Sequence, residues 1–405
     1  MHLAGGDRNA FERYRFEGAH ENGSLLFGAT LGLYPNREII DASLCVVVDG
    51  VQHCVHASAR LAPGVRLLHV GPFSLEVLRP LQVMRILVQG PLADELGLEA
   101  DLTFCGSCAP LEARRHTERR AGPLGQDTTR FSQWGTWQGH ILLDGRHHRI
   151  EPEVAFGARE RSWGTRPVGE PAGGAPPLAL PQQLAATAIV RIGAEVIDAE
   201  IAEDELGRRT FLSAHRSAAP VPSSPAPVPL EPFPGPDPGS GAPAPAGEPL
   251  RDVAVTIAWE PGTRRPSRTR LHVAPWNADP LDLELIPLQS MALRGLGYQS
   301  PDWMHGSFKA EAAVGRESWV VADLDPEDVH NVHWLSVCRV RHGDALGLAF
   351  LELLAVGPHA PSGLTGFTDG FTGLDVPPAD DAPGPVAAAG ALARPGSAPD
   401  PGAPS

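Results

Sequence analysis

The chain has 405 residues, enough for two domains with separate cores or one large one. Its 42 prolines and 44 glycines exclude a helical bundle. A net charge of −15 leaves no basic footprint for nucleic acid or for an anionic membrane surface.

Short runs of alternating or continuous β-branched and aromatic residues, bounded by Gly, Pro, Asn or Asp, dominate the chain. They predict strands over Ser24–Leu33, Ile39–Val48, Val51–Ala59, Val65–Val70, Leu75–Leu78, Met84–Gly90, Leu98–Phe104, Gly135–Leu143 and His148–Val154. Asp49-Gly50 and Asp144-Gly145 predict type I′ hairpin turns. A second set is predicted over Ala188–Glu200, Arg208–Ser213, Asp252–Trp259, Arg268–Val273, Leu281–Pro287, Gly306–Val314, Glu317–Ala322, Trp334–Arg341 and Leu346–Ala355. Many short strands and tight turns mean an all-β fold of sandwich or barrel type. Domains are expected at 1–166 and 182–375, joined by a Gly/Pro-rich linker at 167–181. The Pro-rich segment 217–250 is expected to be a disordered insertion in the second domain, with a hinge as the alternative, and 376–405 a loose tail.

Five cysteines, an odd number, do not suggest a disulfide framework. Cys105 and Cys108 form a lone C-x-x-C whose side chains would leave a strand on opposite faces, so strand packing is favoured over zinc or redox chemistry. No metal site is expected, because no second ligand pair follows. The N-terminus has no apolar leader and no stretch has the length of a membrane span, so a cytoplasmic protein without stable membrane insertion is expected.

The densest motif is Gly157-Ala-Arg159-Glu160-Arg161-Ser-Trp163-Gly164-Thr-Arg166. It can close a strand end, with Arg stacked on Trp and paired with Glu, or place Arg159 and Glu160 in a cavity as donor and acid. A second constellation is Trp303, His305, Lys309 and Glu311; on a strand from Gly306, His305 would share a face with Lys309 and Glu311. Such a face can be solvated or carry chemistry, and His305 is the natural acid–base group at neutral pH. Glu352, set among Phe350, Leu351, Leu353 and Leu354, must be paired or protonated if it points inward. The two halves also echo each other, Trp134-Gly-Thr-Trp137-Gln-Gly139 against His305-Gly-Ser-Phe308-Lys-Ala310.

The order W-G-x-W-x-G, D-G-R, G-x-R-x-R-S-W-G-x-R resembles the carotenoid 1,2-hydratase (hydroxyneurosporene synthase) superfamily and its AttH-like relatives. The run Gly295-Leu-Gly297-Tyr298…Pro301-Asp-Trp303-Met-His305, then Gly347…Glu352…His359, is similar to the second half of that group. The resemblance implies two tandem lipocalin-like antiparallel β-barrels, no metal and no organic cofactor. It also implies acid–base hydration or guided cyclisation of a terpenoid- or polyketide-like molecule. The chain departs from the hydratase pattern at Arg159-Glu160-Arg161, and Ser132 stands where those relatives have a histidine.

The expected function is therefore a cofactor-independent lyase or isomerase acting on a hydrophobic small molecule. The competing class is a non-catalytic lipophile-binding protein, since such barrels can enclose a ligand without chemistry. Candidate catalytic residues are His305 and Glu160; candidate substrate-binding residues are Arg159, Trp163, Trp134, Trp303, Tyr298 and Glu352. The site is expected at the contact of the two barrels, with Arg159, Trp163, Trp303 and His305 lining one cavity.

Overall fold

The computed structural model describes residues 5–62, 68–119, 124–169, 182–219 and 247–370. Two antiparallel sheets account for nearly all of it. The first runs, in order of pairing, Ala312–Val320, Val51–Arg60, Ile39–Val48, Leu25–Tyr34, Ala10–His20, Ala155–Thr165, Leu124–Leu143, Leu98–Gly106, Val83–Val88, Phe73–Arg79 and His69–Val70. The second runs Glu248–Pro249, Arg209–Ala218, Glu195–Glu203, Gln183–Ile192, Ala345–Val356, His333–His342, Leu281–Ala292, Pro266–Ala274 and Asp252–Trp259.

Both sheets curl until their ends meet. His69–Val70 returns to Ile39–Val48 and Val51–Arg60 in the first, and Asp252–Trp259 returns to Glu195–Glu203 and Arg209–Ala218 in the second. Curling removes most of the exposed edge of each meander and gives each sheet an enclosed core, the lipocalin-like solution. The tandem all-β barrel expectation holds. Both predicted turns are type I′: Asp49 and Gly50 have φ of 51° and 77°, Asp144 and Gly145 have 48° and 79°.

Aromatic rings fill the first barrel. Phe16, Phe27 and Phe104 meet Trp137 edge-on with centroids 5.9, 5.2 and 5.2 Å away. The Trp137 indole donates to the Glu17 carbonyl at 2.9 Å, and Gly157 leaves room for that approach, since a Cβ there would fall 2.0 Å from Trp137 Nε1. Aliphatic residues such as Val190, Ile197, Leu271, Leu283 and Leu351 fill the second barrel. A third core joins the barrels' outer faces, where Trp134 stacks on Phe156 at 5.2 Å and both meet Phe350. Each large side chain buried there contributes about 1.5–3 kcal/mol. Gln52 clips the same contact, donating to the Ala292 carbonyl and accepting from the Ala292 amide, each at 2.9 Å.

Three expectations change. Two strands were expected over Gly306–Val314 and Glu317–Ala322; the structure has one, Ala312–Val320, and it pairs with Val51–Arg60 of the first sheet. Gly306 bends away from extended backbone with φ of 68°, and its amide donates to the Asp41 carboxyl at 2.7 Å instead of entering a ladder. His305 therefore shares no strand face with Lys309 and Glu311. For the same reason the echoed motifs are not equivalent: Trp134–Gly139 lies within a long strand and His305–Ala310 lies outside any. The single strand expected over Ala188–Glu200 is a hairpin turning at Gly193, whose φ is 56°.

Most of 217–250, and all of 376–405, lie outside the described residues. The flanks of the former, Arg209–Ala218 and Glu248–Pro249, pair with each other in the second sheet.

Candidate functional site

Two strands of the first barrel organise the site, Ala10–His20 and Ala155–Thr165, paired with Arg15 opposite Glu160. A strand sends successive side chains to opposite faces. Arg159, Arg161 and Trp163 accordingly turn into the first barrel, while Glu160 turns out toward the second.

Inside the barrel, Arg159 donates to Gln133 Oε1 at 2.7 Å and lies 5.1 Å over the Phe131 ring. Arg161 donates to Glu12 at 2.5 Å and lies between the rings of Tyr14 and Trp163, at 5.1 and 5.6 Å. Arg159 and Trp163 thus share a cluster with each other and not with His305, so the expected four-residue lining does not form. The reason is the strand alternation itself.

On the outward face, charge from both barrels converges. Glu160 receives Arg130 at 3.0 Å and lies 3.9 Å from Arg13. Arg130 also reaches Glu200 of the second barrel at 3.0 Å. Arg15 pairs with Glu352 of the second barrel and lies 3.2 Å from Glu17, and Glu352 is bonded by His333 at 2.7 Å. Tyr298 is the hub of this seam. Its hydroxyl accepts from Arg13 and Arg15, Arg13 lies 4.5 Å over its ring, and His305 and His333 meet the ring edge-on at 4.8 and 4.9 Å.

His305 is buried with both ring nitrogens engaged. Nε2 contacts the Leu296 carbonyl at 2.5 Å, and a carbonyl only accepts, so Nε2 carries the proton. Nδ1 then accepts from Arg13 at 3.1 Å and Arg166 at 3.2 Å. Burial, then Arg13 and Arg166, hold its pKa well below the ordinary imidazole value, so it stays neutral.

The carboxyls divide into two groups. Burial alone would raise Glu160 and Glu352, but Arg130, Arg15 and Arg13 hold Glu160 below the usual range, and Arg15 with His333 holds Glu352 well below it. Glu17 and Glu200, where burial wins over Arg15 and Arg130 respectively, are pushed up to about 7, and Asp198 to about 6. The two groups meet around a cavity of about 20 Å³ between the barrels, lined by Arg15, Glu17, Glu160, Asp198 and Glu352 with Phe350 and Leu335 on its apolar side. That volume holds about one water.

Trp303 lies apart from the cavity, over the outer face of the first barrel. It stacks on His56 with centroids 5.0 Å apart, across Gly315, where a Cβ would fall 2.4 Å from the indole. His56 bonds Ser43 at 2.9 Å and lies 3.1 Å from Glu317. Of the residues singled out from sequence, Glu160, Tyr298, His305 and Glu352 meet in the seam, with Trp134 in its apolar border; Arg159 also lines the cavity although its guanidinium is bonded to Gln133, and Trp163 and Trp303 lie elsewhere. Sequence reasoning missed Arg13, Arg15, Glu17, Arg130, Asp198, Glu200 and His333. For Arg13, Arg15 and Glu17 the alternation Glu12-Arg13-Tyr14-Arg15-Phe16-Glu17 marks an amphipathic strand, but not that its polar face is covered.

Fold and site together define a double-barrel protein with a buried ionic seam between its barrels. The chain belongs to a family of unknown function, DUF8625, whose model matches residues 1–365. No curated protein matches it. Among solved structures it is similar to kievitone hydratase from Nectria haematococca, at 11% identity over 86% of this chain and 89% of that one, with a TM-score of 0.48. It is also similar to CghA, at 12% identity over 86% and 88%, TM-score 0.44, and to CghA with Sch210972, at 12% over 86% and 89%, TM-score 0.45. Likeness at that level fixes neither reaction nor substrate. Among the described residues no helix is long and apolar enough to cross a membrane.

Proposed function

We propose that the protein is a cofactor-independent lyase or isomerase that hydrates, dehydrates or cyclises a hydrophobic, terpenoid- or polyketide-like small molecule by acid–base chemistry at the barrel contact. The observation that carries this reading is the pair of opposed carboxyl environments around a water-sized cavity. Titratable groups pushed apart in this way define an acid and a base. Glu17, whose pKa of about 7 suits donation near neutrality, is the acid, and Glu352 or Glu160, kept ionised by arginines, is the base.

In the hydration direction Glu17 gives its proton to one alkene carbon, and the apolar border with Phe350 faces the cation that forms on the other. The base takes a proton from the cavity water as its oxygen bonds to that carbon. Transfer of this proton back to Glu17 completes the cycle, with one water added. His305 has no free nitrogen for such transfers. Its role is to hold Arg13 and Arg166 in place beside Tyr298. The alternative, a non-catalytic lipophile-binding protein, needs only apolar walls and an orienting arginine, and gives the oppositely shifted carboxyls around the cavity no role.

Native mass spectrometry of the purified protein should reveal a bound small molecule. Incubated with enzyme in D₂O, that molecule should gain deuterium or change by one water, and Glu17→Gln should abolish the change while keeping affinity within about tenfold. Recovery of the molecule unaltered, with no deuterium, would overturn catalysis in favour of simple binding.

A further inference from the structure

We infer that Cys45 and Cys54 are a disulfide-forming pair, a cross-strand staple that closes during folding. The argument starts from the hairpin turn. Asp49-Gly50 in type I′ geometry makes Val48 and Val51 the hydrogen-bonded pair next to the turn. Pairs alternate in type along an antiparallel ladder, so Cys45 opposite Cys54, three pairs further on, is a non-hydrogen-bonded pair. At such positions Cα atoms lie about 4.5 Å apart, inside the range a disulfide spans.

The side chains use that proximity. Both point to the outer face of the barrel, their sulfurs lie 2.7 Å apart, and neither is exposed. The two thiols face each other in a space closed by Gly295, where a Cβ would fall 2.5 and 2.7 Å from the two sulfurs. Gln52 donates to Cys54 at 3.4 Å on the same side. Cys105, Cys108 and Cys338 have no such partner among the described contacts: Cys108 and Cys338 meet backbone carbonyls.

Burial fixes when the bond forms. A donor must reach the sulfurs before Leu293–Leu296 packs over them, while the hairpin itself is already made by local contacts. The chemistry is exchange with a small-molecule disulfide of the oxidised-glutathione class. The thiolate of one cysteine attacks the donor, releasing one donor thiol and leaving a mixed disulfide. The second cysteine's thiolate displaces the other donor thiol, so the pair is oxidised, the donor is reduced to two thiols, and the two protons end on those thiols. The staple would hold the strand pair that seats Gly295 and Leu296, whose carbonyl receives His305. Burial would then shield it from reductants in the folded protein.

The full-length protein, produced in a disulfide-permissive host, is denatured and alkylated with N-ethylmaleimide with and without prior reduction, then weighed intact and after proteolysis. Of five cysteines, removing the pair leaves three. Three labels without reduction, five after it, and a linked peptide joining Cys45 to Cys54 are expected. Five labels without reduction overturn the inference, as does a linkage joining any other two cysteines. The double variant Cys45→Ser/Cys54→Ser should take three labels under both conditions; a difference between conditions would likewise overturn it.

Discussion

Replacing Glu160 by glutamine should destabilise the protein by about 3 kcal/mol. The carboxylate lies 3.0 Å from Arg130 and 3.9 Å from Arg13. At an effective dielectric of about 20 these contacts are worth about 5.5 and 4 kcal/mol of gross attraction. Desolvation of three buried ions offsets most of that, several kcal/mol apiece, which is why removal of one member of a buried pair is measured at about 3–5 kcal/mol. The low end applies here because Arg130 keeps Glu200. Urea unfolding should show a lower midpoint at unchanged slope. A second readout separates charge from packing. The Glu160 charge raises Glu17, Asp198 and Glu200, so in Glu160→Gln their titration midpoints, followed by carboxyl carbon NMR, should all fall. A stability change below about 0.5 kcal/mol, the ordinary surface value, with unmoved midpoints would refute a buried ionic seam between the barrels.

Stability should decline as pH rises from about 5 to 7 through Glu17, because its folded pKa of about 7 exceeds the unfolded value and the folded state binds the extra proton. His305 acts in the opposite sense below about 6.5, where only the unfolded state protonates it, so the diagnostic is the comparison with Glu17→Gln, whose decline over pH 5–7 should be shallower by urea titration. Equal slopes would contradict the raised carboxyl. Trp134→Ala removes a fully buried indole from the inter-barrel core and should cost about 3–5 kcal/mol; a loss under 1 kcal/mol would mean that the barrels do not share that core in solution. Arg264, almost fully buried, donates to the carbonyls of Gly357, Gly366 and Asp369, so Arg264→Ala should speed proteolytic cutting within 357–370, and an unchanged cutting rate would show that these bonds do not hold the segment.

The barrels were legible because their signals are local. Asp-Gly turns need positive φ at both positions, and alternating or continuous β-branched runs suit a pleated surface whatever lies beyond it. The strand Ala10–His20 was missed for a related reason. Its outward residues Arg13, Arg15 and Glu17 look like a solvated face, and nothing nearby in sequence says that a second barrel covers them. The segment after Pro301 failed differently. Its alternation suggested a strand, but the Asp41 carboxyl, far away in sequence, takes the Gly306 amide that a ladder would have used.

The same distinction explains why only part of the seam could be read. Glu352 stood out because it interrupts an apolar strand, where a polar group must find a partner, and Tyr298 entered through the Gly295-Leu-Gly297-Tyr298 run that carries the resemblance. Arg13 and Arg15 carried no such mark, since arginine beside tyrosine and phenylalanine is ordinary on an amphipathic strand. What converts them into site residues is burial of both faces of one strand: Phe16 faces the first barrel's core while Arg15 faces Glu352 of the second. A strand buried on both sides normally turns apolar throughout. Retaining charge there requires compensation by opposite charge from another element: Glu352 of the second sheet pairs with Arg15, and Glu160 of the neighbouring strand lies near Arg13. Tandem barrels therefore do more than double the fold. Their contact buries the charged face of Ala10–His20 and supplies a partner for Arg15, which is the condition for shifting carboxyls in opposite directions around one cavity.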